Sequence, residues 1–213
     1  MVSETYLIGI AGPSGSGKSY LAQHLADRVE AEVIELDRYY RDLTHLSPEQ
    51  RERVNFDSPE ALEHELLIEH VVRLRSRQTV LLPVYDFTSH NRVTKTVAFQ
   101  PSTIVIMEGL FTLHWPALRE LLSTKVYVDL DDNVCLQRRK ARDVRERGRT
   151  AESVIEQYEA TVAPMALRYV RPTMAYADVV VGGEEPVESG VARVVEHYRR
   201  RMAQQPVGLQ KER

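Results

Sequence analysis

The sequence predicts an α/β fold, a five-stranded parallel sheet flanked by helices with an inserted β-hairpin. Three observations point that way. Short β-branched runs alternate with longer amphipathic ones, and a glycine-rich turn joins the first run to the first helix. One segment, Gln78 to Gln100, breaks the rhythm with two β-like runs and no helix between them.

In chain order, Tyr6 to Ile10 reads as a buried strand, followed by a helix from Lys18 to about Val29 and a second strand from Val33 to Leu36. Ser58-Pro59-Glu60 has the form of a helix start, with proline in the first turn and Glu60 and Glu63 near the positive end. Leu62, Leu66, Leu67, Val71 and Leu74 would mark that helix's apolar face. The hairpin strands are expected at Thr79 to Val84 and Arg92 to Phe99. Three more strands follow at Thr103 to Met107, Thr124 to Asp129 and Asp178 to Val181. Helices are expected near 114–122, 131–147 and 150–163, and a last one from Val187 to Met202. Residues 1–203 read as one domain and 204–213 as a disordered tail.

Composition narrows the function classes. The chain has 213 residues, 43% of them hydrophobic, enough for a core without staples. Its 28 Lys and Arg nearly balance 31 Asp and Glu, and a net charge of -3 argues against a nucleic-acid coat. The single cysteine, Cys135, cannot form an intrachain disulfide. The start has no signal-peptide pattern and no stretch is long and apolar enough to cross a bilayer, so the cytoplasm is the expected address, with no membrane partner.

Gly12-Pro13-Ser14-Gly15-Ser16-Gly17-Lys18-Ser19 matches GxxxxGK[ST] between a strand and a helix. Glycines let successive N–H groups curl around phosphate oxygens, and the helix start adds free donors and a positive dipole end. Lys18 should reach the β- and γ-phosphates, and Ser19 would ligate Mg²⁺. The fold expected is therefore a P-loop NTPase. Glu108, ending a central strand, is the candidate second magnesium group. No Asn-Lys-x-Asp motif is present, which excludes a GTPase of the usual kind.

A small-molecule kinase also needs a carboxylate beside the attacking hydroxyl and positive charge to close over the phosphates. Asp37 is the carboxylate candidate, after the second strand, where it could also approach Mg²⁺. The positive charge lies in Arg138 to Arg149, with seven basic residues against two acidic ones. That fits a helical lid over a triphosphate, spanning 138–163 with the helix that follows. Tyr85, Phe87 and His90 in the hairpin turn suit a flat heterocycle, and Asp57 could accept from sugar hydroxyls or cap a helix.

These residues resemble the uridine–cytidine kinase family. The match runs through GPSGSGKS, Asp37-Arg-Tyr-Tyr-Arg-Asp-Leu, Asn55-Phe-Asp57, Tyr85-Asp-Phe87-Thr-Ser-His90-Asn-Arg92, Glu108-Gly109 and Arg142-Asp143 with Glu146-Arg147-Gly148-Arg149. It covers about residues 6–183. The resemblance implies transfer of the γ-phosphate of ATP or GTP to the 5′-hydroxyl of uridine or cytidine in pyrimidine salvage. It makes Asp37 the catalytic acid/base, lines the nucleoside site with Tyr40, and gives the ribose to Asp57 and Arg139. It assigns Tyr85, Phe87 and His90 to the base, and Arg149 and Gln157 to the nucleoside site. Arg142 and Arg147 become lid residues near the phosphates, while Ser19 and Glu108 hold the magnesium environment. It also implies a homotetramer with CTP or UTP as feedback inhibitor. Ser58, Arg38, Tyr20 and Gly182 to Glu185 depart from the family pattern. Two other readings stay open: a related kinase acting on ribulose phosphate or pantothenate, and a nucleotide-binding switch that transfers nothing.

Overall fold

A computed structural model describes residues 4–204. Of the tail expected over 204–213, Gln204 is described and is the last residue of a helix, and the rest lies outside the described residues. Strands β1 (Tyr6–Ala11), β2 (Glu32–Glu35), β5 (Ile104–Glu108), β6 (Thr124–Asp129) and β7 (Val179–Gly182) form one parallel sheet in the order β2-β5-β1-β6-β7. β3 (Val80–Asp86) and β4 (Asn91–Phe99) pair antiparallel in a separate two-stranded ribbon.

Alternation along the strands divides the core. Leu7 and Ala11 of β1, with Val105 and Met107 of β5, face one side. There they meet Leu67, Val71 and Leu74 of α3 (His64–Arg75) and Leu118 of α4 (Pro116–Leu121). Ile8, Ile10 and Ile106 face the other side, against Leu21 and Leu25 of α1 (Lys18–Val29) and Val191 and Val194 of α8 (Val187–Gln204). Both faces are buried, which is why these strands read as continuous apolar runs.

The register aligns the strands' carboxyl ends. Glu108 lies opposite Ile10 on one side and Glu35 on the other. The loop after β1, the turn after β2 and the end of β5 therefore open at one rim, the usual ligand edge of such sheets.

Two sequence expectations are corrected. Ser58-Pro59 starts only a single 3₁₀ turn, Pro59–Ala61, and the helix begins at His64. Leu62 is extended and buried, bridging Tyr40, while Arg41 N–H donates to the Ala61 carbonyl. Pairing with a distant segment overrides the local start signal. The helix expected over 150–163 is regular only in α6 (Ala151–Gln157). A π-helical turn, Tyr158–Val162, separates it from α7 (Ala163–Met165), and a second π turn follows at Ala166–Val170. A further short helix, α2 (Pro48–Arg51), is closed by a reciprocal Ser47–Gln50 capping box. The basic helix α5 (Asp132–Arg147) ends at Gly148, whose left-handed φ of 64° suits glycine.

Candidate active site

The loop between β1 and α1 is built by glycine geometry. Gly12 and Gly15 have φ of 152° and 87°. A Cβ on Gly12 would meet the Val128 carbonyl at 2.5 Å, and one on Gly15 the Cys135 carbonyl at 2.5 Å. No other residue fits that path. Cys135 is buried beneath the loop, and burial pushes its thiol up to about 11, so it is an inert packing group. The loop opens on a cleft of ≈ 620 Å³ lined by Lys18, Ser19, Arg138, Arg142, Gly183 and Glu185 among others. Arg138 closes the far wall by donating to the Gly183 carbonyl at 2.9 Å.

Ser19 Oγ donates to Glu108 Oε1 at 2.8 Å. The second Glu108 oxygen is buried without a hydrogen-bond partner, as is Ser16 Oγ in the loop. A buried carboxylate oxygen left open beside a phosphate loop fits a divalent cation. Mg²⁺ takes few protein ligands and completes its shell with phosphates and water, so one such carboxylate and the Ser19 hydroxyl match its needs.

Asp37 sits on the 3₁₀ turn Leu36–Tyr39 that follows β2. Burial raises its pKa, and the neighbouring Glu108 charge adds to that, opposed by Lys18 and Arg147. Because that turn follows Glu35, which pairs with Glu108 at the end of β5, Asp37 stands at the phosphate-loop rim. Asp57 is buried, and burial raises its pKa against the pull of Arg139, whose Nη1 lies 3.5 Å from Asp57 Oδ1. Arg139 also donates to Ser14 Oγ at 3.0 Å and to Gln157 Oε1 at 3.1 Å. Gln157 receives Arg149 as well. Helix α5 is thus tied to the phosphate loop through one guanidinium.

The hairpin brings its rings to this rim. Tyr40 lies 5.1 Å from Tyr85 and 5.1 Å from Phe56, and His90 stacks on Phe56 at 5.6 Å. Tyr40 caps the turn that carries Asp37, its N–H donating to the Asp37 carbonyl at 3.4 Å, so the ring cluster starts on that turn. Burial and the Asp37 charge both raise the Tyr85 phenol. Phe87, 47% exposed, stands at the cluster's edge with the Arg147 guanidinium 5.6 Å from its ring.

Three groups escaped the sequence reading. Phe56, the aromatic beside Asp57, is the ring that joins Tyr40, Tyr85 and His90. Ser14 is a partner of Arg139 as well as a loop residue. Asp143 is fully buried, with Arg142 at 2.8 Å, Arg139 at 3.5 Å, Arg147 at 3.7 Å and Arg149 at 4.0 Å. Its signal was present in the spacing: arginines stand four residues before and four after, on one helix face.

Residues 7–187 match the model of the phosphoribulokinase/uridine kinase family. The chain belongs to that family. It is 43% identical to the uridine kinase of Macrococcus caseolyticus over 191 residues, covering 87% of this chain and 93% of the relative. It is 43% identical to the uridine kinase of Aeromonas hydrophila over 190 residues, covering 85% and 89%. The fold also resembles phosphoribulokinase from Rhodobacter spheroides, with a TM-score of 0.63 at 19% identity over 87% of this chain and 74% of that one. D-glycerate 3-kinase from Cryptococcus neoformans shares it too, with a TM-score of 0.57 at 19% identity over 78% and 79%. These last two likenesses speak to the fold alone.

Proposed function

We propose that this chain is a nucleoside kinase that transfers the γ-phosphate of ATP or GTP to the 5′-hydroxyl of uridine or cytidine. The observation that carries this is the ring cluster of Tyr40, Phe56, Tyr85 and His90 beside Asp37, at the rim shared with the phosphate loop. Stacking surface for a flat base and a carboxylate for a hydroxyl fit one nucleoside. The 43% identity to proteins named uridine kinase supports the same substrate.

In this reading Asp57 and Arg139 hold the ribose hydroxyls, and Arg149 with Gln157 frames the nucleoside from the lid side. Tyr85, Phe87 and His90 read the base, with Tyr40 and Phe56 behind them. The 5′-oxygen then meets Asp37, which orients it and takes its proton. A carboxylate with a raised pKa is a better proton acceptor near neutrality than an ordinary one. Gly12 to Ser19 cradle the donor phosphates, Lys18 reaches the transferring group, and Arg142 and Arg147 close over it. Ser19 and Glu108, with Asp37 near, would hold Mg²⁺, which when bound neutralises phosphate charge. Much of the rate comes from placing the two reactants in line in a dry site. A site that satisfies the 2′-hydroxyl discriminates against thymidine by leaving Asp57 and Arg139 unpaired without it.

A phosphorylated sugar acceptor has no use for four rings, which favours the nucleoside over the ribulose phosphate reading. No helix of the described residues is long and apolar enough to cross a membrane. The reading extends to a cytoplasmic homotetramer inhibited by CTP or UTP, which sedimentation and inhibition assays would test.

The deciding experiment is a coupled assay over uridine, cytidine, adenosine, thymidine, pantothenate and ribulose 5-phosphate, with Asp37→Asn alongside. Uridine or cytidine should be the best acceptor, and Asp37→Asn should lose transfer while keeping nucleotide binding. A best rate with pantothenate or ribulose 5-phosphate overturns the substrate, and ADP release indifferent to every acceptor overturns the kinase.

A further inference from the structure

The ribbon that carries Tyr85, Phe87 and His90 shares no strand pairing with the main sheet. A two-stranded ribbon alone is a poor ruler, because it is marginally stable and bends easily. Its register also slips between Pro83 and Val84, where the pairing jumps from Pro83↔Thr96 to Val84↔Val93. Such a bulge turns the outer end of the ribbon. Something must then fix that end relative to Asp37, since in-line transfer tolerates little error.

Two consecutive residues at the start of β4 make the connection. Arg92, with 14% of its side chain exposed, donates through Nη2 to the Tyr39 carbonyl at 3.0 Å and through Nη1 to the Glu63 carboxylate. The same Tyr39 carbonyl receives Glu63 N–H at 2.8 Å. Tyr39 closes the turn that holds Asp37. Asn91 is buried; its Oδ1 accepts Leu43 N–H at 2.6 Å and its Nδ2 donates to Thr44 Oγ1 at 3.0 Å. The stretch from Tyr39 to Thr44 is therefore pinned to the ribbon at both of its ends. On the opposite strand, Arg92 is paired with Tyr85, the ring that feels the Asp37 charge.

We infer that Arg92, seconded by Asn91, is a positioning residue that sets the distance between the base-reading ribbon and the Asp37 carboxylate. The inference rests on the nucleoside-kinase reading for its kinetic consequence, although the coupling itself does not. The Arg92 guanidinium is engaged by protein acceptors; it acts through the Tyr39 carbonyl and the turn below. Its planar fork serves two acceptors at once, which a lysine ammonium cannot do with the same geometry.

The test is steady-state kinetics of the full chain with ATP, Mg²⁺ and uridine for wild type, Arg92→Gln, Arg92→Lys, Asn91→Ala and Glu63→Gln, with Lys95→Ala as a control on the same strand. Arg92→Gln should lower kcat by roughly 10- to 100-fold and raise the uridine KM, because small misplacements cost that much, while the ATP KM stays within about twofold. Arg92→Lys should recover part of the loss, and Lys95→Ala should match wild type. Amide hydrogen exchange at Leu43 and Glu63 should quicken in Asn91→Ala and Arg92→Gln respectively, a readout that needs no acceptor. Wild-type kcat and uridine KM in Arg92→Gln, or losses that fall equally on ATP and uridine, overturn the inference. If Arg92→Gln does not fold, the Arg92→Lys and Asn91→Ala constants decide the matter by the same criteria. A wild type inactive on both pyrimidine nucleosides sinks the substrate reading instead, and the exchange rates still decide whether ribbon and turn are coupled.

Discussion

Arg142 meets the buried carboxylate of Asp143 through Nε and Nη2, each 2.8 Å from Oδ1. Three more guanidiniums stand within 4.0 Å of that carboxylate. One buried anion among four cations leaves a local excess of positive charge beside the phosphate loop. Asp143→Ala removes the carboxylate that all four share, so unfolding stability should drop by about 3 kcal/mol. For a chain of this size that is roughly 6–12 °C in Tm. Sulfate or phosphate should restore more of the loss than chloride, and a calorimetric melt in each salt checks it.

Asp37 carries a pH signature of opposite kind. Its folded pKa is raised, chiefly by burial, so the native state holds that proton more tightly than the unfolded chain. Its contribution to stability is therefore best below the unfolded pKa and declines as pH rises through the folded one. At neutral pH the ligand-free Asp37→Asn protein should melt higher than wild type, and the gap should close as the pH falls to about 4. Melts of both proteins across that range make the comparison. A lower Tm for Asp37→Asn at pH 7 would contradict the assignment of Asp37 as a strained, functional carboxylate.

The open oxygen of Glu108 bears on magnesium. Glu108→Gln keeps the shape and an oxygen for the hydrogen bond from Ser19 but removes the negative charge of that carboxylate. The Mg²⁺ concentration for half-maximal rate should rise by about tenfold or more, with metal-free nucleotide binding little changed. Ser19→Ala should move the same titration in the same direction.

Phe56 and Phe87 should separate by depth. Phe56 packs against Tyr40, Tyr85 and His90, whereas Phe87 is 47% exposed. Phe56→Ala should raise the uridine KM by roughly tenfold, because it removes the ring that backs Tyr85 and His90, and Phe87→Ala by less. Neither should alter the ATP KM. Equal effects from the two variants would argue that the base does not lie in the inner cluster.

What could be read from the sequence was what the chain encodes locally. Tyr6 to Ile10 ran straight into Gly12 to Ser19, and the buried strands announced themselves by unbroken apolar runs. Asp37 could be placed at the rim because strand ends in such a sheet share an edge. Phe56 was overlooked because its partners come from residues 40, 85 and 90, which only tertiary structure assembles. The false helix start at Ser58 has the same cause: Leu62 is claimed by Tyr40, beyond the reach of a local pattern. Arg142 and Arg147 were visible as charge, but the carboxylate they gather around was hidden as one of two acids in a basic run.

The separateness of the β3–β4 ribbon has a consequence for how such enzymes diversify. Because no main-sheet ladder runs through it, its rings can be exchanged or its length altered without reregistering the strands that support the phosphate loop. Selection can thus retune the choice of acceptor while the donor half of the machine stays as it was.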